Sequence, residues 1–273
     1  MNNIKLLAVN YIVGPLLGLL VCLLEAFRRI KFLNFNRFPI WGEKLIVVSN
    51  HPSLLEPVIL PLMGFPWMNF PWIFSPSWLK IRLSLSWLKE LQKEFSLQQK
   101  LVPVNTPDKK NFYDPPYMGV LQAVNEPINR GSDAAQDRMV TFLNLKKILE
   151  NDRRIIIFPE GGRTFKALKK VRSPGGRELG ELKDGAALLA LMTGAKVLPI
   201  WVEGTEKVLP NGQFPLPRIW RQSVYNVGKP FILDRAAIPG TLKEQRSIAT
   251  EIITQSLLKT GDEIDKIKKG KKK

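Results

Sequence analysis

Histidine occurs once in the 273-residue chain, at His51 in the run NHPSLLE, and a carboxylate, Glu56, closes that run. The pairing has a definite chemistry. A carboxylate about one turn beyond an imidazole can accept the Nδ1–H hydrogen bond and fix the tautomer. Nε2 is then left to take a proton, and the carboxylate stabilises the imidazolium that forms. No serine or cysteine stands ready as a nucleophile, so the proton would come from a hydroxyl of the substrate, which then attacks an activated acyl group. Taken alone, the pair more often means a turn histidine beside a solvated glutamate. Asn50, immediately before His51, is a further candidate.

A second constellation is IIIFPEGGRTF, residues 155–165. An apolar strand here delivers Glu160, Gly161, Gly162 and Arg163 at its end, where open α/β sheets place ligands. The glycines let backbone N–H groups approach an anion, and Arg163 can hold a phosphate through a bidentate, charge-assisted pair. Glu160 would orient that arginine or bind a substrate hydroxyl. Lys166, Lys169, Lys170, Arg172 and Lys183 add positive field. The P-loop spacing and its Lys-Ser/Thr ending are missing.

These residues need elements to hold them. Strands are expected at 44–49, 100–104, 153–158 and 195–202, a short strand within 120–130, and an edge or turn region at 223–233. Pro52 and Ser53 suit a helix start, with Pro57 and Pro61 breaking the apolar stretch beyond it. Helices are expected over 81–99, over 134–150 with Met139, Phe142, Leu143 and Leu149 at helical spacing, over 184–194 capped by Gly194, and over 241–258 with Ile248, Ile252, Ile253 and Leu257 on one face. Alternating strands and helices argue an α/β domain with a mixed, largely parallel sheet flanked by helices. The Pro/Trp-rich stretch 63–80 resists assignment.

Composition narrows the chemistry. One cysteine, Cys22, excludes an intrachain disulfide framework and a cysteine-rich zinc site, and one histidine excludes any site that needs two. No metal site is expected. The formal charge of +17 attracts nucleic acid, anionic headgroups or phosphorylated substrates alike. No RNA- or DNA-binding motif accompanies it, so nucleic acid is not an expected partner. Leu6–Leu24 is an apolar run with Asn10 its one strongly polar side chain, long enough for a hydrocarbon core of about 30 Å. Arg28, Arg29 and Lys31 come directly after it, which by the positive-inside rule puts the rest of the chain on the cytoplasmic face of a membrane. A signal peptide would carry its basic flank on the other side, while Gly14–Pro15 also permits a re-entrant hairpin in one leaflet. The expected organisation is a membrane-anchoring helical segment at 1–35, a catalytic domain at 36–260 and a basic tail at 261–273.

In order, the blocks resemble those of the glycerolipid acyltransferase superfamily, in particular its 1-acyl-sn-glycerol-3-phosphate acyltransferase-like members. The family signature is His, four residues and an acidic residue, then Phe-Pro-Glu-Gly-x-Arg-Ser/Thr. Here the two read NHPSLLE, an HX4E form with Glu in place of the usual Asp, and FPEGGRT. VNEPINR and VLPIWVEG resemble the intermediate and the later proline blocks. The resemblance implies that His51 is the general base and Glu56 its partner. It implies that Arg130, Glu160, Gly161, Gly162 and Arg163 bind the acceptor's glycerol phosphate, with Asn50, Lys183 and Pro199 as additional candidates. The implied donor is an acyl-CoA or acyl-acyl-carrier-protein thioester and the implied acceptor a membrane lipid. No cofactor is implied, because the thioester is already activated. Glu56 keeps the acceptor open: another lyso-lipid, glycerol-3-phosphate, or a non-catalytic anionic-lipid-binding role are the alternatives.

Overall fold

The computed structural model describes residues 13–39, 43–63, 103–109, 113–114, 124–129, 135–210 and 217–270. Among these, the main sheet is built from β1 (Ile30–Leu33), β2 (Leu45–Ser49), β3 (Val104–Asn105), β4 (Arg154–Ile157), β7 (Lys196–Glu203) and β8 (Ser223–Val227). A separate antiparallel hairpin, β5 (Lys170–Arg172) with β6 (Glu178–Gly180), lies outside it. The spatial order in the sheet is β1-β8-β7-β2-β4-β3. β3, β4, β2 and β7 run parallel, β8 runs antiparallel to β7, and β1 runs parallel to β8. The sheet is therefore mixed and largely parallel, and the α/β class expected above holds.

Strands β2, β3, β4 and β8 are buried at every residue because both faces are covered there, as parallel sheets require, while the edge strand β1 is buried only at Ile30. Successive side chains of β2 separate the two layers. Ile46 and Val48 join the cluster with Leu145, Leu149, Leu189, Ile253 and Leu257, from α3 (Ala135–Glu150), α4 (Gly185–Thr193) and α6 (Leu242–Gly270). Leu45 and Val47 join Val21, Ile59, Leu60 and Met63, from α1 (Gly14–Ala26) and α2 (Glu56–Met63). A four-residue helix, α5 (Thr205–Val208), comes after β7.

Local chemistry explains the helix beneath the His51 loop. Pro61 lies inside α2 and lacks the N–H that would bond the carbonyl of Pro57. The Asn105 side-chain amide donates to that carbonyl instead, at 2.9 Å. β3 thereby braces α2 where the helix cannot brace itself.

Several expectations change. The helix at 56–63 starts at Glu56 rather than at Pro52–Ser53, because Ser53 Oγ accepts from Leu55 N–H at 3.1 Å and holds a bend there. In α3 the buried stripe is Thr141, Leu145 and Leu149, while Met139 and Leu143 face outward. In α6, Ala249, Ile253, Leu257 and Leu258 are buried, whereas Ile248 and Ile252 are exposed. That helix continues to Gly270 because Ile264 is buried and Asp262 and Asp265 pair with Arg177. In 120–130 the described residues make isolated bridges, Asn105 with Asn125 and Asp108 with Ile128, rather than a continuous strand. β1 was hidden in the basic flank after the apolar N-terminal run. That run is described only from residue 13, as the thirteen-residue α1, and no described helix is long and apolar enough to cross a membrane. The helix expected over 81–99 lies outside the described residues.

Candidate active site

The C-terminal edge of the parallel strands carries the candidate residues. β2 ends at Ser49 and passes directly into Asn50 and His51. The Asn50 side chain clasps the neighbouring strand end: its Nδ2 donates to the Val202 carbonyl at 2.8 Å, and its Oδ1 accepts from the Val202 N–H at 2.7 Å. Asn50 is thus a strand-pairing residue made from a side chain, and it fixes where His51 leaves the sheet.

His51 and Glu56 meet. Nδ1 lies 2.9 Å from Glu56 Oε2, the contact that the spacing led one to expect. The same oxygen accepts the Ser53 N–H at 3.0 Å. Glu56 is fully buried and opens α2. The imidazole ring stacks on Phe158 at 4.5 Å between centroids. With Nδ1 donating to the carboxylate, Nε2 is the proton-accepting nitrogen. Behind the dyad, burial first and the Glu56 charge second push the Tyr225 phenol well above its usual range, so it stays neutral.

Glu160 takes a different place from the one its sequence context suggests. Its Oε1 accepts the backbone N–H of His51 at 2.9 Å and the Thr164 hydroxyl at 2.7 Å; its Oε2 accepts the Gly180 N–H at 2.7 Å. The carboxylate faces inward and ties three segments together. Burial raises its pKa above the ordinary carboxylate value, against the opposing pull of those hydrogen bonds. A second stitch runs from Thr164 N–H to the His51 carbonyl at 2.9 Å. The two strand-end loops therefore form one unit.

The other predicted residues divide. Gly161 has φ +67°, the left-handed region that glycine supplies cheaply, and its N–H closes a turn to the Phe158 carbonyl at 3.1 Å. Gly162 has open space where a Cβ would stand, so packing does not demand glycine there. Arg163 sits over the Phe165 ring at 5.2 Å and adjoins Thr164. The Lys183 backbone N–H donates to the Pro159 carbonyl at 2.7 Å, and its side chain is exposed. Pro199 is buried in β7 opposite Val48 and packs where Gly228 leaves room, a structural position. Arg130 lies outside the described residues.

Sequence reasoning missed Thr164 and Gly180 as partners of Glu160. Thr164 stood inside the quoted block, but Gly180 carried no local signal. A Cβ on Gly180 would fall 2.7 Å from Glu160 Oε2 and 2.7 Å from Ala167 Cβ, so glycine is required by close approach. The hairpin bearing Gly180 is anchored from behind. Arg177 pairs with Glu203 at the end of β7 and with Asp262 and Asp265 of α6, at 3.3, 3.4 and 2.8 Å.

The family model described as Acyltransferase matches residues 29–203. No curated protein matches the chain. Solved structures similar to it include the crystal structure of the 1-acyl-sn-glycerophosphate (LPA) acyltransferase, PlsC, from Thermotoga maritima. That match has 18% sequence identity and a TM-score of 0.49, and it covers 85% of this chain and 71% of that one.

Proposed function

The chain belongs to the acyltransferase family, and on that premise we propose that it moves a fatty acyl group from an acyl-CoA or acyl-acyl-carrier-protein thioester to the free hydroxyl of 1-acyl-sn-glycerol-3-phosphate, giving phosphatidic acid. The observation that carries this reading is the 2.9 Å contact between His51 Nδ1 and the buried Glu56 carboxylate, at the edge where the sheet places ligands.

The chemical steps use that geometry directly. Nε2 of His51 removes the proton of the acceptor hydroxyl as its oxygen attacks the thioester carbonyl carbon. Glu56 stabilises the imidazolium and holds the ring in place. The tetrahedral intermediate collapses with cleavage of the C–S bond, and the imidazolium returns its proton to the departing thiolate. Arg163 and the undescribed Arg130 are the proposed phosphate ligands. Glu160 holds the His51 backbone rather than the substrate in this reading. The reaction calls for no metal or organic cofactor. A lipid acceptor requires the enzyme at a membrane, and the cytoplasmic face is the side that the basic flank of α1 favours.

The test offers lysophosphatidic acid, glycerol-3-phosphate and other lyso-lipids to the purified protein with each carrier and identifies products by mass spectrometry. Phosphatidic acid formed fastest from lysophosphatidic acid is the expected result. Faster transfer to another acceptor changes the substrate and keeps the chemistry. Absence of transfer from both carriers, with anionic lipid still bound, replaces the enzyme by a lipid-binding protein.

A further inference from the structure

The two oxygens of the Glu56 carboxylate are treated unequally. Oε2 accepts from His51 Nδ1 and from the Ser53 N–H. Oε1 is buried and has no hydrogen-bond partner among the described residues. A buried carboxylate oxygen without a donor is costly, and the carboxylate is then held from one side only. Two fully buried hydroxyls among the described residues also lack a partner, those of Tyr225 and Thr205.

The fold brings Tyr225 to the carboxylate. Glu56, Ile59, Leu60 and Met63 form a buried stripe of α2 at helical spacing. Ile59, Leu60 and Met63 pack into the same layer as Tyr225, so the phenol and the carboxylate share one face of the sheet. Along the strands the two also coincide. Tyr225 pairs with Val202, and Asn50, the residue before His51, clasps the Val202 backbone. Val224 pairs with Glu203, so β8 begins at the catalytic end of the sheet. Ser223, at that beginning, approaches the phenol, although no bond of ordinary geometry joins them. The hydroxyl therefore leans toward the catalytic end, where the Glu56 charge adds to burial in keeping it protonated. A neutral phenol has a hydrogen to give, and the carboxylate oxygen can only accept.

We propose that Tyr225 is a positioning residue of the dyad: through one buried water, its hydroxyl supplies the donor that Glu56 Oε1 lacks. A polar gap between a buried donor and a buried acceptor is where proteins hold internal water, each such water making about three hydrogen bonds. The bridge holds the carboxylate from both sides. Oε2 then stays on Nδ1, and the imidazole keeps Nε2 turned to the acceptor hydroxyl. Tyr225 itself touches no reacting atom. The proposal rests on the acyl-transfer reading for its effect on rate, but not for its effect on the imidazole.

The experiment compares Tyr225→Phe with the wild-type full-length chain. The change keeps the ring packed on Phe32, at 5.6 Å between centroids, and removes only the oxygen. With its ring nitrogens isotope-labelled, histidine gives the magnetic resonance signals of a single imidazole, because His51 is the only one in the chain. At alkaline pH the wild type should show one tautomer, protonated at Nδ1. In Tyr225→Phe the two ring-nitrogen signals should move toward each other as the tautomers mix. Its kcat should fall by about tenfold, with KM for the acceptor within about twofold of wild type. Its melting temperature should fall by about 2–6 °C. Thr205→Val should leave the His51 signals and kcat as they are in wild type. A melting temperature that rises in Tyr225→Phe would mean an orphaned phenol and overturns the proposal. So do unchanged His51 signals, a kcat equal to that of an active wild type, or the same changes in Thr205→Val. A wild type that transfers no acyl group, with the His51 signals still moved by Tyr225→Phe, leaves Tyr225 in its role and removes the acyl-transfer reading instead.

Discussion

Two loops leave the same edge of the sheet, each carrying a carboxylate, and the two carboxylates have opposite employments. After β2, Glu56 turns toward an imidazole, with Oε2 shared between His51 Nδ1 and one backbone N–H. After β4, Glu160 turns toward the chain, and its oxygens accept His51 N–H, the Thr164 hydroxyl and Gly180 N–H. One orients a side chain that can move a proton; the other positions the backbone from which that side chain hangs. A strand-end glutamate is therefore not assigned to chemistry by its address. Which donors converge on it decides.

The comparison breaks or holds under substitution. His51→Ala removes the only imidazole and touches none of the Glu160 bonds, which use the backbone. It should lower kcat by about 10³-fold, and the loss of a partner to the buried Glu56 carboxylate should lower the melting temperature by about 3–8 °C. Turnover close to wild type in that variant would remove His51 as the base. Gly180→Ala attacks the other loop without altering any proposed reacting group. Its Cβ would drive Glu160 Oε2 or Ala167 aside from 2.7 Å, and overpacking of this kind costs about 1–3 kcal/mol. The expected result is a melting temperature lower by about 3–8 °C and a kcat about tenfold lower. Unchanged stability and unchanged kcat together would show that the Glu160 bridge does not hold His51.

Legibility in the sequence splits along the same line. Strands buried on both faces leave continuous apolar runs such as LIVVS and RIII, so the sheet was legible. The dyad was legible because its two members lie within one short loop. The inward turn of Glu160 was not, since two of its three partners lie 109 and 20 residues away. Nor were the buried faces of α3 and α6, whose outward Met139, Leu143, Ile248 and Ile252 read as core by periodicity. β1 was masked by the apolar run and the cations that surround it. Its pairing with β8, 193 positions further along at Ile30–Ser223, is a topological fact no local pattern carries.

The smallest expected effect separates the two carboxylates by their protons. Burial raises the Glu160 carboxyl above its ordinary value in the folded protein. A group shifted this way contributes stability that is fully present below its unfolded value and is lost as pH rises through the folded value. Between those two values the folded state holds a proton that the unfolded chain has released. Glu160→Gln removes this titration and sets an amide N–H₂ against one of the three donors. It should therefore be less stable than wild type throughout, by about 1–3 kcal/mol. The deficit should be largest near pH 4 and should narrow as pH rises through the folded value of the Glu160 carboxyl. Melting curves of both proteins across that range check it. A deficit that widens with rising pH would mean that the hydrogen bonds outweigh burial and depress the Glu160 carboxyl. The carboxylate would then be held ionised by its donors, and the contrast with Glu56 would rest on geometry alone.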